Sequence, residues 1–237
     1  MSEKMLVVRD LNAHYGRAHI LHDVEITLAR GEVVALLGRN GAGKSTIMKS
    51  VMALLAKRRG TIEFCGRDVT SLRPYQIARL GLAYVPEDRR IFFGLTVLEN
   101  LEVGRRVAKD VTNPWTPERL FALFPNLGER RKQDGGRLSG GEQQMLTVAR
   151  ALMGNPQAIL LDEPSEGLAP IIVEQMAHAV KALKAEGLSV LLSEQNLYFA
   201  NEVGDRAYVV DRGRIRYEGQ LEAIMADEGI RRAHLAV

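Results

Sequence analysis

The chain has 237 residues, 46% hydrophobic and 26% charged, ordinary values for a globular protein with a substantial core. Its net charge of +3, carried by scattered Lys and Arg, gives little support to nucleic-acid binding, and the lone Cys65 excludes an intrachain disulfide. Five histidines without metal-ligand spacing argue against structural zinc; with no leader-like N-terminus and no apolar run near ~18 residues, a cytoplasmic chain is expected, held at any membrane by other subunits.

Met5 to Val8, Val24 to Leu28 and Val33 to Leu37 read as short strands separated by turn residues, suggesting an antiparallel N-terminal β region. The third strand runs into Gly38-Arg39-Asn40-Gly41-Ala42-Gly43-Lys44-Ser45, and Ser45 to Leu55, with Thr46 in its first turn, has helical character. This octapeptide fits G-x-x-x-x-G-K-[ST] in full, in the strand–loop–helix order a P-loop requires. Its glycines let the backbone wrap a triphosphate, Lys44 reaches the outer phosphates, and the Ser45 hydroxyl can ligate Mg²⁺. The basic runs Lys57-Arg58-Arg59 and Glu129-Arg130-Arg131-Lys132 read as solvated surface.

From Leu95 to Leu152 the pattern is mostly helical. Thr116-Pro117-Glu118 supplies an N-cap, a first-turn proline and an early acid, and Pro125 is expected to close that helix. Leu138-Ser139-Gly140-Gly141-Glu142-Gln143-Gln144 then turns into a helix carrying Met145, Val148, Ala149 and Leu152 on one face. Such a turn points backbone N–H groups, a hydroxyl and the positive end of the helix dipole at an anion, a second phosphate cradle in a chain that already has one. The segment of about 95–153 reads as a helical lobe inserted into a single α/β domain spanning 1–237.

The core resumes with the apolar strand Ala158 to Asp162, where Asp162 can hold Mg²⁺ through water and Glu163 can polarise an attacking water. A helix from Ile171 to Ala185, a buried strand Val190 to Ser193, a hairpin of Ala207 to Asp211 with Ile215 to Tyr217, and a short terminal helix complete the chain. Together the P-loop and the acidic strand end describe hydrolysis of a β,γ-phosphate bond.

The order of P-loop, LSGGEQQ turn, acidic strand end and Ser165-Glu166-Gly167-Leu168, spread from Tyr15 to Gln195, resembles the ATP-binding cassette (ABC) ATPases. The resemblance implies a P-loop ABC ATPase core in which two cassettes meet head to tail. Ser139, Gly140 and Gly141 of one chain would then serve the ATP held by the partner's P-loop, and Ser165 to Leu168 would touch the opposite cassette. Tyr15 falls where the family stacks an aromatic ring on adenine; the alternative is a packing residue.

Three departures from the family pattern stand out. Glu87 occupies a place where Gln is common, Gln195 one where a histidine is common, and Ala169-Pro170 one where Asp is common. Gln195 can donate an amide N–H to a γ-phosphate oxygen but carries no proton near neutral pH, so hydrolysis without a histidine-like pH inflection is expected. The Glu87 carboxylate either adds a Mg²⁺-linked oxygen or caps the turn before Arg89 and Arg90.

VPEDRRIFFGLTVLENL, LLDEPSEGLAP and LLSEQN are together similar to the smaller ATPase subunit of the branched-chain amino-acid uptake transporters. That similarity implies ATP and Mg²⁺ as ligands and a second ABC subunit, identical or different, as partner. It also implies two transmembrane permeases docked near Glu87 to Asn100, a solute-binding protein acting indirectly, and a place on the cytoplasmic face of the membrane. Alternatives are a urea or amide importer subunit, whose relatives usually keep Gln at position 87 and lack SEGLAP, or a non-transport ABC ATPase. The latter carry a long coiled coil or two cassettes in one chain, and neither is present. A P-loop kinase would need an acceptor site and no LSGGEQQ turn.

Overall fold

The computed structural model describes residues 3–106 and 112–235, arranged as two sheets with helices. A four-stranded antiparallel sheet has the order β2 (Ala18–Ala29), β1 (Lys4–Tyr15), β4 (Lys57–Phe64), β5 (Arg67–Asp68). The second sheet has the order β10 (Arg214–Gln220), β9 (Arg206–Asp211), β3 (Val33–Leu37), β8 (Ser189–Glu194), β7 (Ala158–Asp162), β6 (Leu82–Val85). Its strands run parallel except β10, which pairs antiparallel with β9 at one edge. The architecture is α/β.

Every residue of β3, β7 and β8 is buried, as expected of strands covered on both faces. Side chains alternate between faces with period two, so each strand feeds two separate cores. Val33, Ala35 and Leu37 join Ile159, Leu161, Val190 and Leu192 in the core shared with the long helices. Val34 and Leu36 face the other way, with Leu160, Leu191 and the inner face of the antiparallel sheet. Helix α1 (Lys44–Val51) lies in that second core through Ile47, Met48 and Val51.

Between β6 and β7 the chain forms α3 (Val97–Gly104), α4 (Pro117–Leu123), α5 (Pro125–Glu129) and α6 (Gly140–Leu152), preceded after β5 by α2 (Pro74–Arg79). Reciprocal capping boxes start α3 (Thr96 with Glu99) and α6 (Ser139 with Glu142), each satisfying two N–H groups that a helix start leaves free. Asn100, fully buried on α3, accepts from Phe92 N and donates to the carbonyls of Phe92, Leu95 and Thr96, pinning the loop ahead of its own helix. The chain finishes with α7 (Pro170–Ala185) before β8, α8 (Leu197–Val203) after it, and α9 (Leu221–Ala226) and α10 (Glu228–Ile230).

Several local expectations need correction. Pro125 does not simply end a helix: α4 stops at Leu123, and Pro125 is the first residue of α5, where its missing N–H costs nothing. The run Lys57-Arg58-Arg59 opens β4, and Arg58 is part-buried, its guanidinium donating to the carbonyls of Ser50 (2.7 Å) and Thr70 (2.7 Å). Arg130, in the other basic run, pairs with Glu142 of the α6 capping box at 3.1 Å. These arginines hold helix ends and loops in place. Strands β1 and β2 are also longer than their apolar runs, because polar residues alternate along the face away from the core.

Candidate nucleotide and hydrolysis site

In a parallel sheet, ligand sites form beyond the carboxyl ends of the strands, where the chain leaves in opposite directions. The loop after β3, Glu163 after β7 and Gln195 after β8 meet there. A Cβ on Gly38 would come within 2.3 Å of the Val210 carbonyl oxygen, and Gly43 sits at φ +113° as α1 begins, so these two positions require glycine. Asn40, Gly41, Gly43, Lys44, Ser45 and Thr46 line an open cavity of about 320 Å³ together with Glu87, Glu163 and Glu166. Ala42 is buried beneath this wall and Arg39 is exposed beside it.

Lys44 is only 3% exposed. Its ammonium donates to the carbonyls of Gly38 (2.8 Å) and Arg39 (3.2 Å) and pairs with Glu163 Oε1 at 2.9 Å. Glu163 is 6% exposed and has φ +49°, a left-handed conformation uncommon for a residue with a Cβ. Its N–H donates to the carbonyl and the hydroxyl of Ser193, both at 3.1 Å, which fixes this turn at the strand end. Strain held by surrounding bonds is frequent where a side chain must be aimed into a site. Gln195 Nε2 donates to the other Glu163 oxygen at 3.1 Å and to Asn40 Oδ1, so Gln195 spans from Glu163 to the P-loop.

Asp162 lies one layer deeper. It accepts from Ser45 Oγ (2.8 Å) and Ser193 Oγ (2.7 Å) on one oxygen and from the Tyr84 hydroxyl (2.9 Å) on the other. Burial and the facing carboxylate push the Tyr84 hydroxyl well above its ordinary pKa, so it remains a donor at any physiological pH. Ser45 and Asp162 offer hard oxygen donors side by side, the chemistry Mg²⁺ takes together with substrate phosphates. Glu87 is exposed on the cavity rim, and the turn before Arg90 is tied by Asp88, whose carboxylate accepts from Arg90 Nε at 2.9 Å. Among the described residues Glu87 makes no side-chain hydrogen bond to this turn, and the Asp88–Arg90 bond joins two exposed side chains.

The LSGGEQQ turn is not part of this cavity. Ser139 to Gly141 start α6, a different element; a Cβ on Gly140 would fall 2.7 Å from Arg89 Nη1, and one on Gly141 2.7 Å from Ile172. Arg89, at φ +59°, is held by its carbonyl, which accepts from Thr147 Oγ1 of α6 at 2.6 Å. Tyr15, at the end of β1, is 47% exposed and is absent from the cavity lining. The β1–β2 hairpin nevertheless abuts the P-loop, since Leu21 lies 3.0 Å from where a Gly43 Cβ would be.

Sequence reasoning missed Tyr84, Ser193 and Glu194. Glu194, 1% exposed at the end of β8, accepts from Ser165 N at 3.0 Å and from Gln195 N and Asn196 N at 3.2 Å each. Burial pushes its carboxyl up to about 7 despite these donors. The available signal was a Ser-Glu pair closing an apolar strand, which reads equally well as a turn.

A strand–P-loop–helix unit, an acidic strand end beside it and a capped second cradle together define a nucleotide-hydrolysing cassette. Residues 21–166 match the ABC transporter family, and the chain belongs to it, as an ATP-hydrolysing, ATP-binding subunit. It is 41% identical to the high-affinity branched-chain amino acid transport ATP-binding protein BraG of Pseudomonas aeruginosa, over 98% of this chain and 99% of that one. It is 36% identical to the probable branched-chain amino acid transport ATP-binding protein LivF of Archaeoglobus fulgidus (94% and 95% covered). It is also 36% identical to the lipopolysaccharide export system ATP-binding protein LptB of Haemophilus influenzae (98% and 97%). A solved nucleotide-free ATP-binding cassette from an ABC transporter superposes with a TM-score of 0.82 at 27% identity, covering 96% of this chain and 97% of that one.

Proposed function

We propose that the chain is the ATPase subunit of an importer for branched-chain or other hydrophobic amino acids. A cavity lined by Lys44, Ser45 and Glu163, with Asp162 bonded to Ser45 behind it and Gln195 bonded to Glu163, carries the hydrolytic part of this reading. The cavity wall of Gly38 to Thr46 cradles the phosphates of ATP, with Lys44 moving from Glu163 toward the outer phosphates. Release of Lys44 leaves Glu163 free to accept a proton from the attacking water, and Gln195 donates to a γ-phosphate oxygen.

Ser45 and Asp162, the latter through water, would hold Mg²⁺, with Glu87 as a further oxygen at the rim. Bound there, the ion would supply charge neutralisation for the phosphates of ATP. Ser139, Gly140 and Gly141 complete the site on a partner cassette, and Tyr15 stacks on adenine, a contact of about 1–3 kcal/mol.

An apolar groove of about 570 Å³ lined by Tyr75, Tyr84, Pro86, Phe92, Val103 and Arg150 overlaps the Glu87 to Asn100 region, and Phe93 beside it is 65% exposed. A permease segment docking there would set the chain on the cytoplasmic face of the membrane, in a complex of two ABC subunits, two permeases and, indirectly, a solute-binding protein. Among the described residues no helix is long and apolar enough to cross a membrane. The similarity to BraG and LivF supports import, whereas the similarity to LptB supports an export subunit as the second reading.

Uptake of radiolabelled leucine by cells carrying Lys44→Ala in place of the wild-type chain separates the two. Loss of uptake is expected for the importer. Unchanged uptake of branched-chain and other hydrophobic amino acids would sink it. The paired site is tested by the solution mass of Glu163→Gln: ATP with Mg²⁺ should double it if a second copy of this chain can complete the site, while an ATP-bound monomer points to a different cassette as partner.

A further inference from the structure

The hydrolytic cluster leaves one buried ionisable group without a role. Glu194 is the last residue of β8, between β3 and β7, in register with Leu37. Its two oxygens divide their work. One accepts the N–H of Ser165, which opens the loop running from Glu163 to α7. The other accepts the N–H groups of Gln195 and Asn196, and Asn196 in turn caps α8 through Phe199 N. A single carboxylate therefore ties the loop behind Glu163 to the loop that aims Gln195, and Gln195 bonds back to Glu163 at 3.1 Å.

We propose that Glu194 is a positioning residue for ATP hydrolysis: its carboxylate locks the Ser165 to Leu168 loop to the Gln195 loop, so that a shift of the first displaces Gln195 from Glu163 and the γ-phosphate. The proposal rests on the reading of Glu163 and Gln195 as hydrolytic residues. Because Ser165 to Leu168 is also the segment placed against the opposite cassette, the tie gives partner contact a direct mechanical route to the chemistry.

The ionised form suits this task, since a carboxylate can accept all three N–H groups while a carboxylic acid presents its own O–H to one of them. The charged groups around Glu194 are few. Glu163, paired with Lys44, faces it from the β7 end and favours the protonated form, and Asp162 and Glu166 lie on the same connection. On the β3 side its register partner is apolar Leu37, and α8 turns Leu197, Phe199, Ala200 and Val203 inward. Burial places the carboxyl near neutrality, and the Ser165 hydroxyl lowers it.

Gln195 cannot titrate, yet an inflection close to pH 7 should appear in kcat, rising with pH, with Glu194 as its source. Steady-state hydrolysis between pH 6 and 8.5 tests this on Glu194→Gln and Ser165→Ala. Glu194→Gln keeps the size but turns an N–H₂ toward N–H donors; its kcat should fall at least ~10-fold at pH 8 and lose the inflection, with the KM for ATP and fluorescent-nucleotide affinity within about 2-fold. Ser165→Ala leaves the N–H in place and should move the inflection to higher pH. Wild-type kcat and inflection in Glu194→Gln would overturn the proposal, and so would parallel loss of nucleotide affinity, thermal stability and kcat, or an inflection unmoved in Ser165→Ala. If Glu163→Gln hydrolyses like the wild type, the reading of the site itself has failed, an outcome separate from any result at Glu194.

Discussion

The two proposed phosphate cradles of this chain are built in opposite ways. The P-loop lies at the end of a central strand, and its functional groups are saturated from within: Lys44 by two carbonyls and Glu163, Asp162 by three hydroxyls, Glu163 by Ser193 and Gln195. The Ser139 turn lies on inserted helices at the surface, tied by the local capping box, by Gln143 Nε2 donating to the Leu138 carbonyl at 3.0 Å, and by Arg130. A cradle inside the sheet can be made rigid by one chain. One at a helix start leaves uncapped N–H groups for a ligand and, in the proposed pair, would serve a second molecule.

Changes in the buried cradle should therefore alter nucleotide handling in a single chain, and changes in the surface turn should alter hydrolysis only in a pair. The largest effects are expected at the first. Lys44→Ala should abolish hydrolysis, and Glu163→Gln should slow it by at least ~10² while ATP stays bound, as measured by phosphate release and equilibrium binding. A Glu163→Gln enzyme with near-normal turnover would assign the base elsewhere.

Next in size is a stability effect that also belongs to the interior. The carboxyl of Glu194 lies near 4.5 when unfolded and about 7 when folded, so the native state holds its proton more tightly. This contribution is fully present below about pH 4.5 and is lost as pH rises through 7, by at most about 3 kcal/mol. Denaturant unfolding at pH 5 and pH 8 should show a larger decline for the wild type than for Glu194→Gln. An equal decline in both would place the titration on another group.

Ser139→Ala sharpens the contrast from the other side. Loss of the α6 N-cap costs about 1 kcal/mol of stability, and hydrolysis by the pair should fall about 10-fold, yet ATP affinity of the single chain should not change. Reduced affinity at concentrations where the chain is monomeric would show that the two cradles are not separate. Tyr84→Phe removes one of three hydroxyls on Asp162 and should cost about 1 kcal/mol with a several-fold drop in turnover at limiting Mg²⁺. The smallest effect on hydrolysis, less than about 2-fold, is expected for Phe93→Ser beside the proposed docking groove, although cellular uptake should fall. Lost nucleotide binding there would remove the groove from the permease interface.

What the sequence determined by itself is contiguous. Gly38 to Ser45, Leu138 to Gln144 and Asp162-Glu163 are each local, because a phosphate cradle is made of consecutive backbone N–H groups and a strand end delivers neighbouring side chains to one place. Helix starts at Thr116 and Ser139 were legible for the same reason: a cap acts within three residues. Strand β6 and the basic opening of β4 were not, since four residues carry too little period and the charges of Lys57 to Arg59 mask a strand.

Only the tertiary structure decided which side chains support the chemistry. Tyr84 reaches Asp162 across 78 residues, Ser193 across 31, and Glu194 reaches Ser165 across 29, because parallel register sets the ends of β6, β7 and β8 side by side. The same register makes Gln195 a neighbour of both Glu163 and Asn40, and it lays Arg89 over Gly140 by anchoring the loop after β6 to α6. Local chemistry names the reacting groups; the pairing of strands distant in sequence determines how they are held.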